Sequence, residues 1–457
     1  MSSTTKLFGT DGIRGTANIF PMTPEVVVRI GQAIGYLIRK KVISSPSQAN
    51  RVVIGKDTRL SGYMIEQALS SGLNSMGVYV QLVGPLPTPG IGYLTRTMRA
   101  AAGIVISASH NAYQDNGIKI FGPDGFKLDD KLESQIEALV AGDELSKMLV
   151  ASKEIGRTRR IDDAQGRYIV SAKSAFPLEY TLDGVRIVLD TAHGASYKVA
   201  PAIFEELGAE VIQVGNQPNG LNINDKVGAL HPSLISQAVV QYRADVGIGL
   251  DGDADRVVLT DERGKIVNGD HLLAMCAVHL KGKGLLKHNT LVVTQMSNFG
   301  LEKKMKELGI TVIKTNVGDK YVVDEMRKGG YSLGGEQSGH IIFLDHSTTG
   351  DGTVAALNVL SIMRETGKKL SELANIFEDV PQVLINCHVS RRVELSTIAG
   401  YEDLILLKEA ELGGNGRIFI RYSGTEPLIR ILVEGLDKKK ITAMAEELAS
   451  FIEKKIS

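Results

Sequence analysis

Three carboxylates at alternate positions, Asp251, Asp253 and Asp255 in DGDADR, carry the strongest chemical signal in the chain. Carboxylates so close repel one another unless a cation neutralises them, and hard oxygen ligands suit Mg2+ or Ca2+. The same residues fit two other patterns, and both fail on context. A calcium-binding EF-hand loop starting at Asp251 would find its final acid at Glu262, but it needs glycine where Arg256 stands, just before the strand-like Val-Val-Leu-Thr. Gly247, Gly249 and Gly252 match the spacing of a dinucleotide-binding turn, yet no helix follows and the acids would repel a pyrophosphate. A magnesium loop is preferred over a solvated acidic turn.

The second signal is IVISASHNAYQDNGIKIF, from Ile104 to Phe121. An apolar strand stops on Ser109 amid polar residues, and a second apolar stretch carries Lys119. Alone, Ser109 reads as a turn or capping serine. It has no nucleophile elbow, and His110 is its immediate neighbour, poorly placed for a serine–histidine dyad. Loop hydrogen bonding explains His110 and Asn111 as well as catalysis does. Serine with Mg2+ and nearby cations, without an imidazole relay or P-loop, suits phosphoryl transfer better than acyl transfer.

Two glycine-rich stretches add positive charge. FGTDGIRGTAN offers backbone amides and Arg14; RYSGTEPLIR offers Arg421, Ser423, Gly424, Thr425 and Arg430 around a turn between two strands. Hydroxyls, free amides and arginines in one loop make an anion nest suited to phosphate, the alternative being a hairpin with Glu426–arginine pairs.

A recurring unit must position these loops. RVVIGKDTR, RIVLDTAHG and TLVVTQMSN each read as a strand entering a helix, and each helix stops at a glycine, Gly77, Gly208 or Gly309, just before a new strand. Glycine there suits the left-handed residue after a helix, so these are βαβ units, which build parallel or mixed sheets covered by helices. A further strand closes each unit, ending in the serine loop, the aspartate loop, or GGEQSGH. In open α/β sheets ligands gather beyond the carboxyl ends of strands. The class expected is α/β: three similar domains with mixed sheets at 1–155, 156–257 and 258–367, and a small α+β domain with an antiparallel sheet at 368–457. The last helix shows an apolar face of Ile441, Met444, Ala445, Leu448 and Ile452.

At 457 residues, roughly three or four domains are expected. Lys+Arg and Asp+Glu both number 52, so bulk charge draws the chain to neither nucleic acid nor membrane. The two cysteines, Cys276 and Cys387, are far apart in apolar surroundings and read as buried hydrophobes. The N-terminus lacks a signal-type apolar core and no run reaches the ~20 residues of a membrane span, so a cytoplasmic protein is expected.

Set side by side, FGTDGIRG, SASHNAYQDNGIKIF, DGDADR, GGEQSGH and RYSGTEPLIR resemble the α-D-phosphohexomutase superfamily, with similarity running essentially the whole chain through PMTPE, GKDTRLSGYM, PTPG and TTGDGTVAALNVL. The resemblance implies four domains around a central cleft, the fourth a TATA-binding-protein-like sheet and helix pair. It implies phosphate carried on Ser109, one Mg2+ held by Ser109, Asp251, Asp253 and Asp255, and a transfer site lined by Arg14, Lys119 and Arg256. Glu336 and Ser338 would bind sugar hydroxyls with His340 nearby, while Arg421, Ser423, Gly424, Thr425 and Arg430 would grip the phosphate that is not reacting. The implied reaction interconverts glucosamine 6-phosphate and glucosamine 1-phosphate through a hexosamine 1,6-bisphosphate, feeding amino-sugar nucleotide and cell-wall precursor synthesis, with a homodimer suggested. Mannose or glucose phosphates would use the same residues; a phosphosugar phosphatase would not need the distal nest, and a non-catalytic binding protein would not need all four of the serine and aspartates. The chain departs from the pattern at Ala112, where proline is usual and whose loss should loosen the loop, and at Lys320, where arginine is common.

Overall fold

Strands buried on both faces need continuous apolar runs, and the inner strands here have them: Ala102–Ile106, Val246–Leu250 and Thr290–Thr294 are buried throughout. They belong to a computed structural model describing residues 6–9, 11–45, 47, 49–422 and 428–456. In the first unit, Arg51–Lys56 lies parallel to both Tyr79–Pro85 and Ala102–Ile106, and Asp115–Phe121 pairs antiparallel on the far side of Ala102–Ile106. The second repeats this order with Arg186–Asp190, Glu210–Val214, Val246–Leu250 and Val257–Asp261. In the third, Thr290–Thr294 lies between Thr311–Thr315 and Leu333–Gly335, and Ile341–Phe343 closes the edge antiparallel. The threefold pattern is therefore architecture. The helices of the three units end where the sequence requires, with Gly77, Gly208 and Gly309 at φ 79°, 100° and 65°.

Two details differ from the reading above. The second sheet runs past residue 257, because Val257–Asp261 pairs with Val246–Leu250 and Ile266–Val267 pairs with Val257–Asp261 in turn. The third helix, Phe299–Glu307, falls in a different compact unit from the strand Thr290–Thr294 before it, and the boundary then crosses the strand Thr311–Thr315 after it. The chain divides into Met1–Thr294 with Ile313–Asn375, and Gln295–Val312 with Ile376–Ser457. In the second unit Asn298 donates to Val380 O (3.0 Å) and accepts from Val380 N (3.0 Å), while Glu434 accepts from Phe299 N (2.9 Å). These buried bonds hold the helix there, and apolar periodicity does not encode them.

That unit also holds the antiparallel sheet, in which Leu428–Gly435 lies between Gln382–His388 and Gly416–Tyr422. The expected face of the last helix, Lys438–Ile456, is buried at Ile441, Met444, Ala445, Leu448 and Ile452. Cys276 and Cys387 are both buried. No helix among the described residues is long and apolar enough to cross a membrane.

One buried carboxylate in the first unit gives stability a pH dependence. Asp351 caps the helix Gly352–Thr366, accepting from Thr353 N and Val354 N at 3.0 Å each, and the Tyr168 hydroxyl donates to it at 3.1 Å. Burial pushes Asp351 up to about 6 despite these bonds. Between about pH 4 and 6 the folded chain holds a proton that the unfolded chain has released. This group's contribution is complete below pH 4 and is lost as pH rises through 6. Asp351→Asn keeps the capping acceptor but does not titrate. Relative to wild type, its unfolding free energy from urea melts should rise by about 2–3 kcal/mol across that window. Parallel curves would show that Asp351 stays ionised.

Candidate active site

Ser109 lies three residues beyond the strand Ala102–Ile106, is 1 % exposed, and adopts left-handed backbone at φ 51°. Its N–H donates to Ser107 Oγ at 2.9 Å, and Ser107 Oγ donates to Asp57 at 2.6 Å. Its own Oγ donates to Asp251 Oδ2 at 2.7 Å. Two strand-end loops from different sheets therefore meet at one hydroxyl. Gly252 permits that approach, since a Cβ there would stand 2.6 Å from Ser109 O.

Asp251, Asp253 and Asp255 are all buried, with carboxylate oxygens within 4.8 Å of one another. Burial, then Asp255 and Asp253, push Asp251 well above the usual carboxylate range. Lys119, 1 % exposed, bridges Asp253 Oδ2 (3.0 Å), Asp255 Oδ2 (3.2 Å) and Asp11 Oδ2 (3.1 Å). Burial works against its charge, but Asp11, Asp253 and Asp255 outweigh that and hold it protonated well above the ordinary lysine value. Asp253 is likewise held low against burial by Lys119 and by Thr88 Oγ1, which donates at 2.7 Å. Asp253 Oδ1 and Asp255 Oδ1 have no hydrogen-bond partner among the described residues. Buried carboxylate oxygens without donors cost stability unless paired. Orphaned hard oxygens beside a raised Asp251 and the Ser109 hydroxyl fit a divalent cation.

Cations surround the cluster. Arg14 pairs with Asp11 and reaches Asn111 Oδ1 at 3.4 Å. Arg256 N donates to Asp251 Oδ1 at 3.2 Å, and its side chain is kept charged against burial by Asp255, Asp251 and Glu336. His110 Nδ1 lies 3.4 Å from Ser109 Oγ; burial, Arg256 and Arg14 lower its pKa to about 4, so the ring is neutral at pH 7.

The third loop joins through acids and bases together. Glu336, half-buried after the strand Leu333–Gly335, accepts from Gly318 N at 3.1 Å and from Ser338 Oγ at 3.3 Å. His340 is buried, with Nε2 3.4 Å from Asp319 and 4.0 Å from Asp255. Lys127 pairs with both Asp11 and Asp319. Loops from all three sheets thus share one ionic network.

In the second compact unit, Arg421 and Arg430 stand directly opposite on neighbouring antiparallel strands. Burial and then Arg430 lower the Arg421 pKa. Like charges facing across strands are destabilising, and an anion between them would relieve that. Ser423, Gly424 and Thr425 lie outside the described residues.

Residues 5–147, 167–264, 268–380 and 384–451 match, in that order, the alpha/beta/alpha domains I, II and III and the C-terminal domain of phosphoglucomutase/phosphomannomutase. The chain belongs to the phosphoglucomutase/phosphomannomutase family. It is 70% identical over 457 residues, all of both chains, to the phosphoglucosamine mutase of Bdellovibrio bacteriovorus. It is 57% identical over 451 residues, 99% of each chain, to that of Geobacter metallireducens. A phosphoglucomutase/phosphomannomutase family protein from Burkholderia thailandensis shares the fold, with TM-score 0.79, 20% identity and coverage of 99% and 98% of the two chains. So does an Aspergillus fumigatus N-acetylphosphoglucosamine mutase solved with GlcNAc-6P and magnesium, with TM-score 0.66, 17% identity and coverage of 99% and 96%.

The family resemblance did not single out Asp11, Thr88, Lys127 or Asp319. Asp11 and Thr88 sit inside FGTDGIRG and PTPG, where an acid or hydroxyl beside a glycine or proline turn was the available clue. Lys127 had none. Of the two departures from the family pattern, Ala112 offers its carbonyl to Asp115 N at 3.2 Å and to Arg59. Lys320 is engaged by Asp130 at 2.5 Å and Glu133 at 3.6 Å.

Proposed function

We propose that this chain interconverts glucosamine 6-phosphate and glucosamine 1-phosphate, carrying the phosphate on Ser109. The observation behind this is the Ser109 hydroxyl seated 2.7 Å from Asp251 inside a buried carboxylate cluster ringed by cations. Relatives 54–70% identical over nearly the whole chain, all named phosphoglucosamine mutase, support the choice of sugar.

Phosphate on Ser109 passes to the 1-hydroxyl of glucosamine 6-phosphate: the P–Oγ bond breaks, a P–O1 bond forms, and the hydroxyl proton passes through the neutral His110 to the departing Ser109 Oγ. The 1,6-bisphosphate then turns end for end and the transfer reverses on its 6-phosphate: a P–Oγ bond forms, the P–O6 bond breaks, and the Ser109 proton returns through His110 to O6, releasing glucosamine 1-phosphate. Lys119, Arg14 and Arg256 face the charge that spreads over the moving group. Asp251, Asp253 and Asp255, with the Ser109 oxygen, are the ligands for Mg2+, which when bound offsets phosphoryl charge. Glu336 and Ser338 accept sugar hydroxyls, and His340 backs Asp255 and Asp319. Arg421 and Arg430, facing each other across two strands, would hold the phosphate that is not reacting, with Ser423, Gly424 and Thr425 assigned to the same task from the sequence.

Peptide mapping before and after incubation with glucosamine 1,6-bisphosphate and Mg2+ tests the carrier. One phosphate on Ser109, absent in Ser109→Ala, is expected; no covalent phosphate under either condition would remove the mechanism. Turnover compared on glucosamine, mannose and glucose phosphates tests the sugar, and accumulation of free phosphate would indicate a phosphatase instead. Glu336→Gln, which turns half of an acceptor into a donor, should raise KM for glucosamine 6-phosphate about 10- to 100-fold while changing kcat much less. An unchanged KM would take Glu336 out of the sugar site.

A further inference from the structure

We propose that Arg59 and Asn224 are positioning residues that clamp the Ser109 loop from two sheets, setting the direction of Oγ without touching it. The proposal rests on the reading that Ser109 carries phosphate. Arg59 is 0 % exposed and uses all five of its N–H groups. Nε donates to Asp57 Oδ2 at 2.8 Å; one terminal nitrogen donates to Ser109 O (3.0 Å) and Asn111 O (2.9 Å), the other to Asp115 O (3.1 Å) and Ala112 O. Asn224, buried in a loop of the second domain, approaches the same carbonyls with Nδ2 donating to Ser109 O at 2.9 Å and Asn111 O at 3.0 Å.

Two features give this clamp a task beyond filling space. Ser109 holds φ 51°, a conformation that residues with a Cβ disfavour and keep only when surrounding bonds enforce it. The Oγ–H bond to Asp251 cannot be what enforces it through a catalytic cycle, because a phosphorylated Oγ has no proton to donate. The backbone bonds persist in both states: Ser109 N–H to Ser107 Oγ, and the carbonyl acceptors that Arg59 and Asn224 hold. A lysine at 59 keeps the charge but cannot reproduce a five-donor planar fork.

The experiment follows phosphate acquisition by dephosphorylated protein from glucosamine 1,6-bisphosphate with Mg2+, by quenched flow and intact mass, alongside steady-state kcat and KM. Asn224→Gly suits it because Asn224 itself sits at φ 60°, which glycine adopts freely, so the change removes the amide with little backbone strain. In Asn224→Gly the acquisition rate and kcat should fall ~10- to 100-fold, with KM for glucosamine 6-phosphate within about twofold, as expected of a reacting atom moved by a fraction of an ångström. Arg59→Lys should fall at least as far. A purely structural role would lower the melting temperature without splitting kcat from KM. Wild-type acquisition by folded Asn224→Gly would overturn the clamp, whether or not Arg59→Lys folds. Failure of the wild type to take up phosphate would instead bring down the phosphoserine reading, and the clamp with it.

Discussion

Asp253→Asn is expected to fold like the wild type and to lose about a thousandfold in Mg2+-dependent turnover, since removing a Lewis acid from phosphoryl transfer costs several kcal/mol of barrier. The fold should survive because the cluster is crowded with negative charge. The substituted amide would still offer an oxygen to Thr88 or Lys119, while Lys119 keeps Asp11 and Asp255. Losing one carboxylate also relieves Asp251, whose pKa is raised by Asp255 and Asp253 after burial. What disappears is a carboxylate whose Oδ1 has no hydrogen-bond partner among the described residues. Turnover as a function of Mg2+ concentration, beside a melting curve, checks both halves. Wild-type activity in the variant would sink the metal assignment.

Lys119→Met should show the largest loss of stability. The ammonium is almost wholly buried among Asp11, Asp253 and Asp255. Its removal leaves three carboxylates facing one another without their shared cation. Breaking a buried ion pair by deleting one partner typically costs about 3–5 kcal/mol, because the remaining charge is uncompensated. A divalent cation binding only the folded chain would return part of that loss by mass action. Denaturant midpoints with and without Mg2+ should therefore differ more in the variant than in the wild type. An unchanged midpoint without Mg2+ would mean that the acids take up protons instead of relying on Lys119.

Much of this was legible in the sequence because it is local. Alternate aspartates at a strand end, a serine closing an apolar run, and glycines ending three helices are all short-range patterns with direct physical causes. The threefold repeat of the unit followed from those patterns, and the sheets reproduce it. The missing parts were contacts between residues distant in the chain. Lys127 meets Asp319, and Thr88 meets Asp253, across separations that no periodicity records. Asp57 and Arg59 lie in GKDTRLSGYM, where spacing marks a strand end but not five carbonyl and carboxylate acceptors waiting for one guanidinium. The edge of the second sheet was misplaced for a related reason: Val257–Asp261 reads as the start of something new, whereas pairing with Val246–Leu250 makes it a completion.

The shared strand order also bears on how such a protein changes over generations. Each sheet presents its chemical loop from the corresponding inner strand, after Ile106, Leu250 or Gly335, while its apolar packing lies elsewhere. Under the proposed reaction, phosphate carriage, cation binding and sugar recognition would each fall to one loop of the three, joined through a single ionic network. A lineage that rewrites the loop after Gly335 must therefore spare the members that reach its neighbours, Glu336 beside Arg256 and His340 beside Asp255. If that loop reads the sugar, a new appetite for hexose is free only at the positions between those two anchors.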